Sequence, residues 1–372
     1  MTVLIAPNAY KGSLAAPAVA GAMAEGVRQV LPDASVRLLP LADGGDGSVD
    51  AFVASGFAPV PVTVRGPTGE PVHATIALRT GHAVVELADA CGMARLPGGL
   101  LAPMTSTTLG LGDAMLAALD EGATRITVCL GGSASTDGGA GLLVALGARL
   151  LDVDGRHVDP GGRSLASITH LDLSELDPRL ADVAFDAAVD VTSPLYGPTG
   201  AAAVFAPQKG ATPDEVAQLD AGLRAWASTL HSATGRDVST APGSGAAGGT
   251  AAALMAVLGA HARPGAALIA GVVGLDEAID ESDLVITGEG RLDEQTALGK
   301  GAIDVASRCR AAGRDVIAVC GQVALDDEAM VAAGFAAWDD CLSHAVDADD
   351  AERRAAELVA TATAEALRRW RP

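Results

Sequence analysis

The stretch Thr124-Arg-Ile-Thr-Val-Cys-Leu130 is followed at once by Gly131-Gly-Ser-Ala-Ser-Thr-Asp-Gly-Gly139. The first part is a mostly apolar run with the length of a buried strand, and the second is a polar, glycine-rich loop. A helical pattern then extends to about Leu150. A strand that leads through such a loop into a helix is typical of parallel sheets with crossover helices.

The same succession of strand, polar loop and helix recurs along the chain. In parallel sheets the loops that follow the strands gather at one edge, where ligands bind. We therefore expect these loops to be neighbours in space although they are distant in sequence. The other predicted strands are Thr2–Ala6, Val36–Leu41, Ala184–Val189, Leu284–Ile286 and Asp315–Val319, and helices are predicted to about Leu31, near Ser48–Ser55 and from about Gly301.

Residues 60–87 depart from this rhythm. The runs Val60–Val64, Val72–Leu78 and Ala83–Leu87 are separated by short turns, which predicts antiparallel hairpins. The strands near residues 284 and 316 are similar in style to the first two. We therefore predict an α/β protein of two domains. Residues 1–60 and 275–372 form a Rossmann/flavodoxin-like parallel-sheet domain, and residues 61–274 form a second α/β domain inserted into it.

Composition narrows the class of protein. Apolar residues make up 49% of the 372 residues and aromatic residues 3%, so the core must consist of Val, Leu, Ile and Ala. A net charge of −21 argues against nucleic acid as a partner, although local cations can still bind a small anion. Cys129 and Cys320 lie in apolar runs and are predicted to be buried thiols. The chain enters a strand directly and has no uncharged run of membrane-spanning length, so we expect a cytoplasmic protein without a membrane partner.

Lysine is rare, and its positions are informative. Of 25 basic residues only Lys11, Lys209 and Lys300 are lysine, and each is followed by glycine. A compact ammonium group on a flexible backbone suits a phosphate or a carboxylate. The alternative is that three lysines are retained by chance on surface loops.

Two further loops carry carboxylates. In Asp43-Gly-Gly-Asp-Gly47 two acids could approach one hard cation or one substrate hydroxyl, or could merely cap the next helix. In Thr287-Gly-Glu-Gly-Arg-Leu-Asp293 the acids could bind metal, and Arg291 or Lys300 could bind phosphate. The alternative for this second loop is an ion-paired loop in solvent.

The loop of residues 131–139 offers backbone N–H groups, hydroxyls and a helix start, which together suit phosphate. A glycine-rich start of a tightly packed helix is the alternative. The cluster Thr105-Ser-Thr-Thr108 is interpreted mainly as a helix cap. The sequence contains neither a G-x-x-x-x-G-K-[ST] phosphate loop nor a G-x-S-x-G nucleophile elbow, and its histidines lack metal-ligand spacing.

Six loops stand in a fixed order along the chain: Tyr10-Lys-Gly-Ser-Leu14, Ala42-Asp-Gly-Gly-Asp-Gly47, Gly131-Gly-Ser-Ala-Ser-Thr-Asp-Gly-Gly-Ala140, Asp190-Val-Thr-Ser-Pro-Leu-Tyr-Gly197, Pro207-Gln-Lys-Gly210 and Thr287-Gly-Glu-Gly-Arg-Leu-Asp293. Together they resemble the loops of the bacterial type I glycerate kinases over nearly the whole chain. The joint match is specific, although no single loop is. The family often has Asp where Asn8 stands, so no base is assigned there.

The resemblance implies transfer of the γ-phosphoryl group of ATP to D-glycerate with Mg²⁺ as cofactor. It favours 2-phosphoglycerate over 3-phosphoglycerate as the product. It also implies that the active site lies in the cleft between the two domains, and it leaves a homodimer open. The alternatives are an ATP-dependent kinase of another small hydroxy acid, a nucleotide-dependent oxidoreductase of such an acid, and a non-catalytic binding protein.

The expected site residues follow from these loops. Lys11 should bind phosphate or carboxylate, and Asp43 or Asp190 should orient or deprotonate the acceptor hydroxyl. The residues expected to bind substrate or nucleotide are Ser13, Gly44, Gly45, Ser133, Ser135, Thr136, Lys209, Arg291 and Lys300, and those expected to bind metal are Asp46, Glu289 and Asp293.

Overall fold

The computed structural model describes residues 1–10, 12–293 and 301–370. The chain is an α/β protein with parallel sheets, which confirms that part of the prediction. Its strands are β1 Thr2–Ile5, β2 Ser35–Leu38, β3 Ala58–Arg65, β4 Pro71–Arg79, β5 His82–Glu86, β6 Arg125–Cys129, β7 Arg149–Leu151, β8 His170–Asp172, β9 Ala184–Ala188, β10 His261–Arg263, β11 Leu284–Thr287, β12 Arg291–Leu292, β13 Asp315–Cys320, β14 Gln322–Val323 and β15 Ala337–Asp340.

Helices alternate with many of these strands, as the predicted crossover connections require. The helices are α1 Ala16–Val30, α2 Ser48–Ala54, α3 Leu87–Cys91, α4 Leu109–Asp120, α5 Ala140–Ala145, α6 Ala201–Phe205, α7 Pro213–Thr234, α8 Ala246–Val257, α9 Gly265–Val273, α10 Leu275–Asp280, α11 Ala302–Ala312, α12 Asp327–Ala333, α13 Ala348–Arg353 and α14 Ala355–Arg369. Short 3₁₀ turns lie at Met93–Arg95, Pro97–Gly99, Gly162–Ser167, Pro178–Asp182, Pro207–Lys209 and Leu342–His344.

The first compact unit comprises the described residues of Met1–Asp43, Asp50–Gly56 and Ala266–Pro372. Its five-stranded sheet has the order β15-β13-β11-β1-β2, and every neighbouring pair is parallel. When only the strands of this sheet are numbered along the chain, the order is 2-1-3-4-5, which is the flavodoxin-like arrangement. In such sheets ligands bind beyond the carboxyl ends of the strands, where the strand order reverses, which here is between β1 and β11.

Helices α1 and α14 cover one face of this sheet and build its core. Gly26 on α1 is a point of close approach, because a Cβ atom there would lie 2.4 Å from the carbonyl oxygen of Ala360 and 2.6 Å from Cβ of Thr363. The core is rich in Val, Ile, Leu and Ala, in agreement with the low aromatic content.

The second unit comprises Gly44–Val49 and Phe57–Gly265. Its six-stranded sheet has the order β10-β9-β6-β5-β4-β3. The pairs β3–β4 and β4–β5 are antiparallel, which confirms the predicted hairpins, whereas β5, β6, β9 and β10 pair in parallel. Helix α4 packs against this sheet, and α5, α7 and α8 form a further apolar cluster around Trp226.

Some predicted bounds are wrong. The helix predicted to about Leu150 ends at Ala145 and is followed by β7. Gly147 has φ +108°, and a Cβ atom there would lie 2.2 Å from the carbonyl oxygen of Glu175, so the helical backbone stops at a tight tertiary contact. Strand β2 ends at Leu38 rather than at Leu41.

Burial of the thiols follows the prediction. All five cysteines are buried and none of them forms a disulfide, which confirms the expectation for Cys129 and Cys320. Across the described part of the chain, no helix is both long enough and apolar enough to cross a membrane.

Candidate active site

The loop of residues 131–139, here called the hydroxyl loop, follows β6 and is anchored by the buried carboxylate of Asp137. The N–H and the hydroxyl of Thr108 donate to Asp137 Oδ2 at 2.9 and 2.8 Å. The N–H of Gly141 donates to the same oxygen at 3.1 Å, and the N–H of Gly139 donates to Oδ1 at 3.2 Å. Four donors thus replace the water that this charge has lost, and they hold residues 105–108 beside the hydroxyl loop.

The hydroxyl loop lies against the predicted Asp-Gly-Gly-Asp-Gly loop. The N–H of Gly131 donates to the carbonyl oxygen of Gly44 at 3.0 Å. A Cβ atom at Gly131 would lie 2.3 Å from Cα of Gly45, and one at Gly132 would lie 2.1 Å from Oδ1 of Asp46. Glycine is therefore required at both positions so that Gly44, Gly45 and Asp46 can approach the hydroxyl loop, as expected for loops at one edge of a sheet.

Glu86, the last residue of β5, fixes the other side of residues 44–49. Its two carboxylate oxygens accept the N–H groups of Gly47 and Val49, each at 2.9 Å. Burial raises the pKa of Glu86 to about 7, against the lowering effect of these two hydrogen bonds, and the nearby Asp89 and Asp46 raise it further. No sequence motif marks Glu86, because a single acid at the end of a strand has no distinctive spacing.

Lys209 lies outside the hydroxyl loop in sequence, but its buried side chain is hydrogen-bonded to that loop. Its ammonium group donates to the hydroxyl of Ser133 at 2.7 Å and to the carbonyl oxygen of Ser135, and the side chain is 3% exposed. Burial lowers the pKa of Lys209 to about 7, and Asp137 acts in the opposite direction. The predicted binding residues Ser133, Ser135, Thr136 and Lys209 are therefore brought together in one buried group.

Asp43 and Asp190, the two predicted candidates for the base, are both exposed. Asp43 follows β2 in the first unit, and Asp190 follows β9 in the second. One carboxylate oxygen of Asp190 accepts the N–H of Gly265 at 2.9 Å, which fixes its direction. Gly44 has φ +89°, and a Cβ atom there would lie 2.9 Å from Cβ of Ala188 at the end of β9.

The segment Thr287–Asp293, here called the acid loop, follows β11 in the first unit. The hydroxyl of Thr287 donates to the carbonyl oxygen of Ala6 at 2.8 Å, which ties the loop to the end of β1. Glu289 accepts the N–H of Ala302 at 3.2 Å at the start of α11, and its side chain is half-buried.

The remaining predicted residues are placed as follows. Arg291 is exposed and forms an ion pair of 3.3 Å with the half-buried Asp293. Ser13 is exposed and donates to the carbonyl oxygen of Tyr10 at 3.2 Å. Lys11 and Lys300 lie outside the described residues. Within residues 1–10, 12–293 and 301–370, no three or more His, Cys, Asp or Glu side chains are grouped to hold one metal ion.

Comparison with known proteins identifies the family. A sequence model of the glycerate kinase family matches residues 3–371. The chain belongs to the glycerate kinase family. The kinase is 42% identical to the glycerate 2-kinase of Escherichia coli (strain K12), over 88% of this chain and 86% of that one. It is 41% identical to the glycerate kinase of Bacillus subtilis (strain 168), over 96% and 95% of the two chains.

A solved structure agrees with the sequence comparison. The crystal structure of a protein from Salmonella typhimurium LT2, provisionally named glycerate kinase 2, superposes with a TM-score of 0.86 at 39% identity. The superposition covers 98% of this kinase and 96% of that chain. The predicted family and enzyme class are therefore confirmed: this is a glycerate kinase, which acts on glycerate with a nucleotide as the phosphoryl donor.

Proposed function

We propose that the kinase transfers the γ-phosphoryl group of ATP to the 2-hydroxyl of D-glycerate and so yields 2-phosphoglycerate. The observation that carries the proposal is the buried ammonium group of Lys209 on the hydroxyl loop, a built site for an anion in a member of this family. The choice of the 2-hydroxyl is supported by the relative named glycerate 2-kinase, which is 42% identical over most of both chains.

The proposed roles follow the positions of the side chains. Asp43 and Asp190 are exposed carboxylates that follow strands, where either could accept the proton of the acceptor hydroxyl. The polar groups around Lys209 would bind substrate or phosphate, as would Ser13, Gly44, Gly45 and Arg291. Lys11 and Lys300 are proposed from the sequence alone to neutralise the phosphates or the substrate carboxylate.

Mg²⁺ is proposed as the cofactor, and the residues present fit it. Asp46, Glu289 and Asp293 offer hard carboxylate oxygens on exposed or half-buried side chains. A Mg²⁺ ion typically takes one or two protein carboxylates and completes its shell with phosphate and water, so a group of three acids is not needed. When bound, the ion would neutralise charge on the transferred phosphoryl group.

We further propose that the two units correspond to two domains of the kinase. Residues 1–60 and 275–372 would form the Rossmann/flavodoxin-like domain, and residues 61–274 the inserted α/β domain. The flavodoxin-like strand order, completed by strands that follow residue 275, supports this division. The five cysteines are buried and form no disulfide, which is in keeping with a reducing compartment, and we propose the cytoplasm.

The reaction is tested by phosphorus NMR of the product made from D-glycerate, ATP and Mg²⁺. We expect consumption of ATP that requires both glycerate and Mg²⁺, and the resonance of 2-phosphoglycerate. The resonance of 3-phosphoglycerate would contradict the proposed position, and transfer to another hydroxy acid in preference to D-glycerate would contradict the acceptor.

The proposed role of Asp43 is tested by Asp43→Asn. Loss of a general base typically costs about 10²–10⁴-fold in turnover, so we expect a fall of this size with an unchanged thermal midpoint. Asp33→Asn is the matched control, because Asp33 is also an exposed carboxylate of the first unit but lies before β2. Near-normal turnover of Asp43→Asn would remove Asp43 from the site.

A further inference from the structure

Four buried hydroxyl groups of the second unit have no hydrogen-bond partner among the described residues. They belong to Ser106, Thr107, Ser135 and Thr136. Among the described side chains, only one other buried polar atom is in this condition, Nε of Arg314. An unsatisfied buried polar group typically costs about 1–3 kcal/mol, so four in one region require an explanation other than stability.

The four hydroxyls belong to two short segments of the chain, two in each, and Thr108 and Asp137 join the segments. Ser106 and Thr107 directly precede Thr108, and Ser135 and Thr136 directly precede Asp137. The two hydrogen bonds from Thr108 to the Asp137 carboxylate, at 2.9 and 2.8 Å, join the two segments. The unpartnered hydroxyls are thus carried by two adjoining segments rather than scattered through the fold.

Lys209 supplies a positive charge at the same place. Its ammonium group has three N–H donors, and it meets two acceptors, the hydroxyl of Ser133 and the carbonyl oxygen of Ser135. The negative charge of Asp137 is already taken up by four donors. The region therefore keeps donor capacity for a further acceptor, and a bound anion would favour the charged form of Lys209.

We propose that Ser106 and Thr107, together with Ser135, Thr136 and Lys209, bind the carboxylate group of the hydroxy-acid substrate. This inference rests on the proposed function and assigns one part of its substrate to one part of the site. A carboxylate carries a single negative charge, which one ammonium group balances. A triphosphate carries several, and the extra charges would be costly in so dry a place. Because the four hydroxyl oxygens are sealed from solvent, the two segments must open slightly for the substrate to enter.

The experiment uses Ser106→Ala, Thr107→Val and Thr136→Val in the full-length kinase. For each variant, the KM values for D-glycerate and for ATP are measured separately, together with the Kd for D-glycerate by calorimetry and the thermal midpoint. We expect the KM and Kd for D-glycerate to rise about tenfold or more, the size of one lost hydrogen bond to a charged group. We expect the KM for ATP to stay within about twofold and the thermal midpoint to stay level or rise, because an unpartnered hydroxyl is removed.

Thr229→Val is the matched control. Thr229 is buried in the same unit, but its hydroxyl donates to the carbonyl oxygen of Ile168 at 3.0 Å. Its loss should lower the thermal midpoint and leave the KM for D-glycerate unchanged. This is the reverse of the result expected for the unpartnered hydroxyls.

Two results would overturn the inference while leaving the proposed function intact. One is a wild-type KM for D-glycerate in all three variants, and the other is a rise in the KM for ATP alone. Wild-type kinase that neither binds nor phosphorylates D-glycerate would overturn the proposed function as well. Amide hydrogen exchange gives a readout independent of turnover: D-glycerate without ATP should slow exchange in residues 103–108 and 133–137.

Discussion

The hydroxyl loop and the acid loop each follow a buried parallel strand, yet they distribute their polar groups in opposite ways. In the hydroxyl loop the carboxylate of Asp137 is buried and bonded by four donors, while the hydroxyls of Ser135 and Thr136 have no partner in the described structure. In the acid loop the hydroxyl of Thr287 is bonded, and the carboxylates of Glu289 and Asp293 are half-buried.

Under the proposed function, one local arrangement, a strand followed by a glycine-rich loop, would serve two kinds of ligand. In the hydroxyl loop the carboxylate of Asp137 is already hydrogen-bonded. The hydroxyls of Ser135 and Thr136 lack partners among the described residues, and the ammonium group of Lys209 lies beside them. Such a loop would suit an anion. A loop whose hydroxyl is hydrogen-bonded and whose half-buried carboxylates still reach solvent would suit a cation such as Mg²⁺. The predictions below, from the largest expected effect to the smallest, test this contrast.

Asp137→Asn should have the largest effect, because an amide places an NH₂ group where Asp137 accepts N–H and O–H donors. We expect a loss of ~3–5 kcal/mol in the free energy of unfolding, as is typical for breaking a buried charged network. Urea denaturation measures it. In the acid loop, Asp293→Asn should change the same quantity by no more than ~0.5 kcal/mol. Equal losses of unfolding free energy in Asp137→Asn and Asp293→Asn would contradict the contrast between the two loops.

Glu86→Gln extends the comparison to a second buried carboxylate, which accepts two backbone N–H groups where Asp137 accepts four donors. The folded pKa of Glu86 is about 7, above its ordinary value of 4.5, so its ionisation stabilises the folded state less than the unfolded state. Wild-type stability should therefore fall as the pH rises from 4.5 through 7, and the glutamine variant should be spared this loss. Between pH 5 and pH 8 we expect the variant to gain ~1–3 kcal/mol relative to wild type.

The matched control for that pH series is Glu215→Gln. Glu215 also accepts an N–H at a helix start, that of Thr212, but it is only half-buried, and its pKa is lowered by that contact. It is ionised throughout the range from pH 5 to pH 8, so the difference between variant and wild type should stay flat. A flat profile for Glu86→Gln as well would show that its carboxylate is ionised without penalty.

Glu289→Gln should separate metal binding from stability. If the acid loop holds the cation, the Mg²⁺ concentration for half-maximal activity should rise about tenfold, equivalent to 1.4 kcal/mol. The free energy of unfolding should change little, because the side chain is half-buried. Glu328→Gln, at an exposed acid in the first turn of α12, provides the control and should leave the Mg²⁺ requirement unchanged. An unchanged requirement in Glu289→Gln would remove Glu289 from the metal site.

The smallest expected effect compares two buried threonines. Thr287→Val removes a hydrogen bond of 2.8 Å to the carbonyl oxygen of Ala6 and should cost about 1 kcal/mol of unfolding free energy. Thr136→Val removes a hydroxyl that is unpartnered in the described structure and should cost nothing measurable. Denaturation curves of the two variants measure the loss of unfolding free energy. An equal loss at both positions would mean that the hydroxyl of Thr136 has a partner in the folded kinase.

Much of the fold could be predicted because local patterns and tertiary context agree. Apolar runs such as Ala184–Val189 became buried parallel strands, and the runs between residues 60 and 87 became antiparallel hairpins. Strand β15, Ala337–Asp340, was not predicted, because its alternating buried and half-exposed residues include two acids and make a weak signal at a sheet edge. The early end of α5 was missed because it depends on a contact of Gly147 with residue 175, which is distant in sequence.

The sequence by itself determined the alternation of strand, loop and helix, the six loops that resemble glycerate kinases, and the short list of lysines and acids within them. These follow from local composition and order. Only the tertiary structure decided what each polar group meets. It buried Lys209 against the hydroxyl loop, turned Glu86 toward residues 47 and 49, and gave Asp137 four donors. It also left the hydroxyls of Ser106 and Thr107 without a hydrogen-bond partner among the described residues. The physical reason is that burial and hydrogen bonding are set by segments that are far apart in sequence, so a residue's neighbours along the chain do not reveal its neighbours in space.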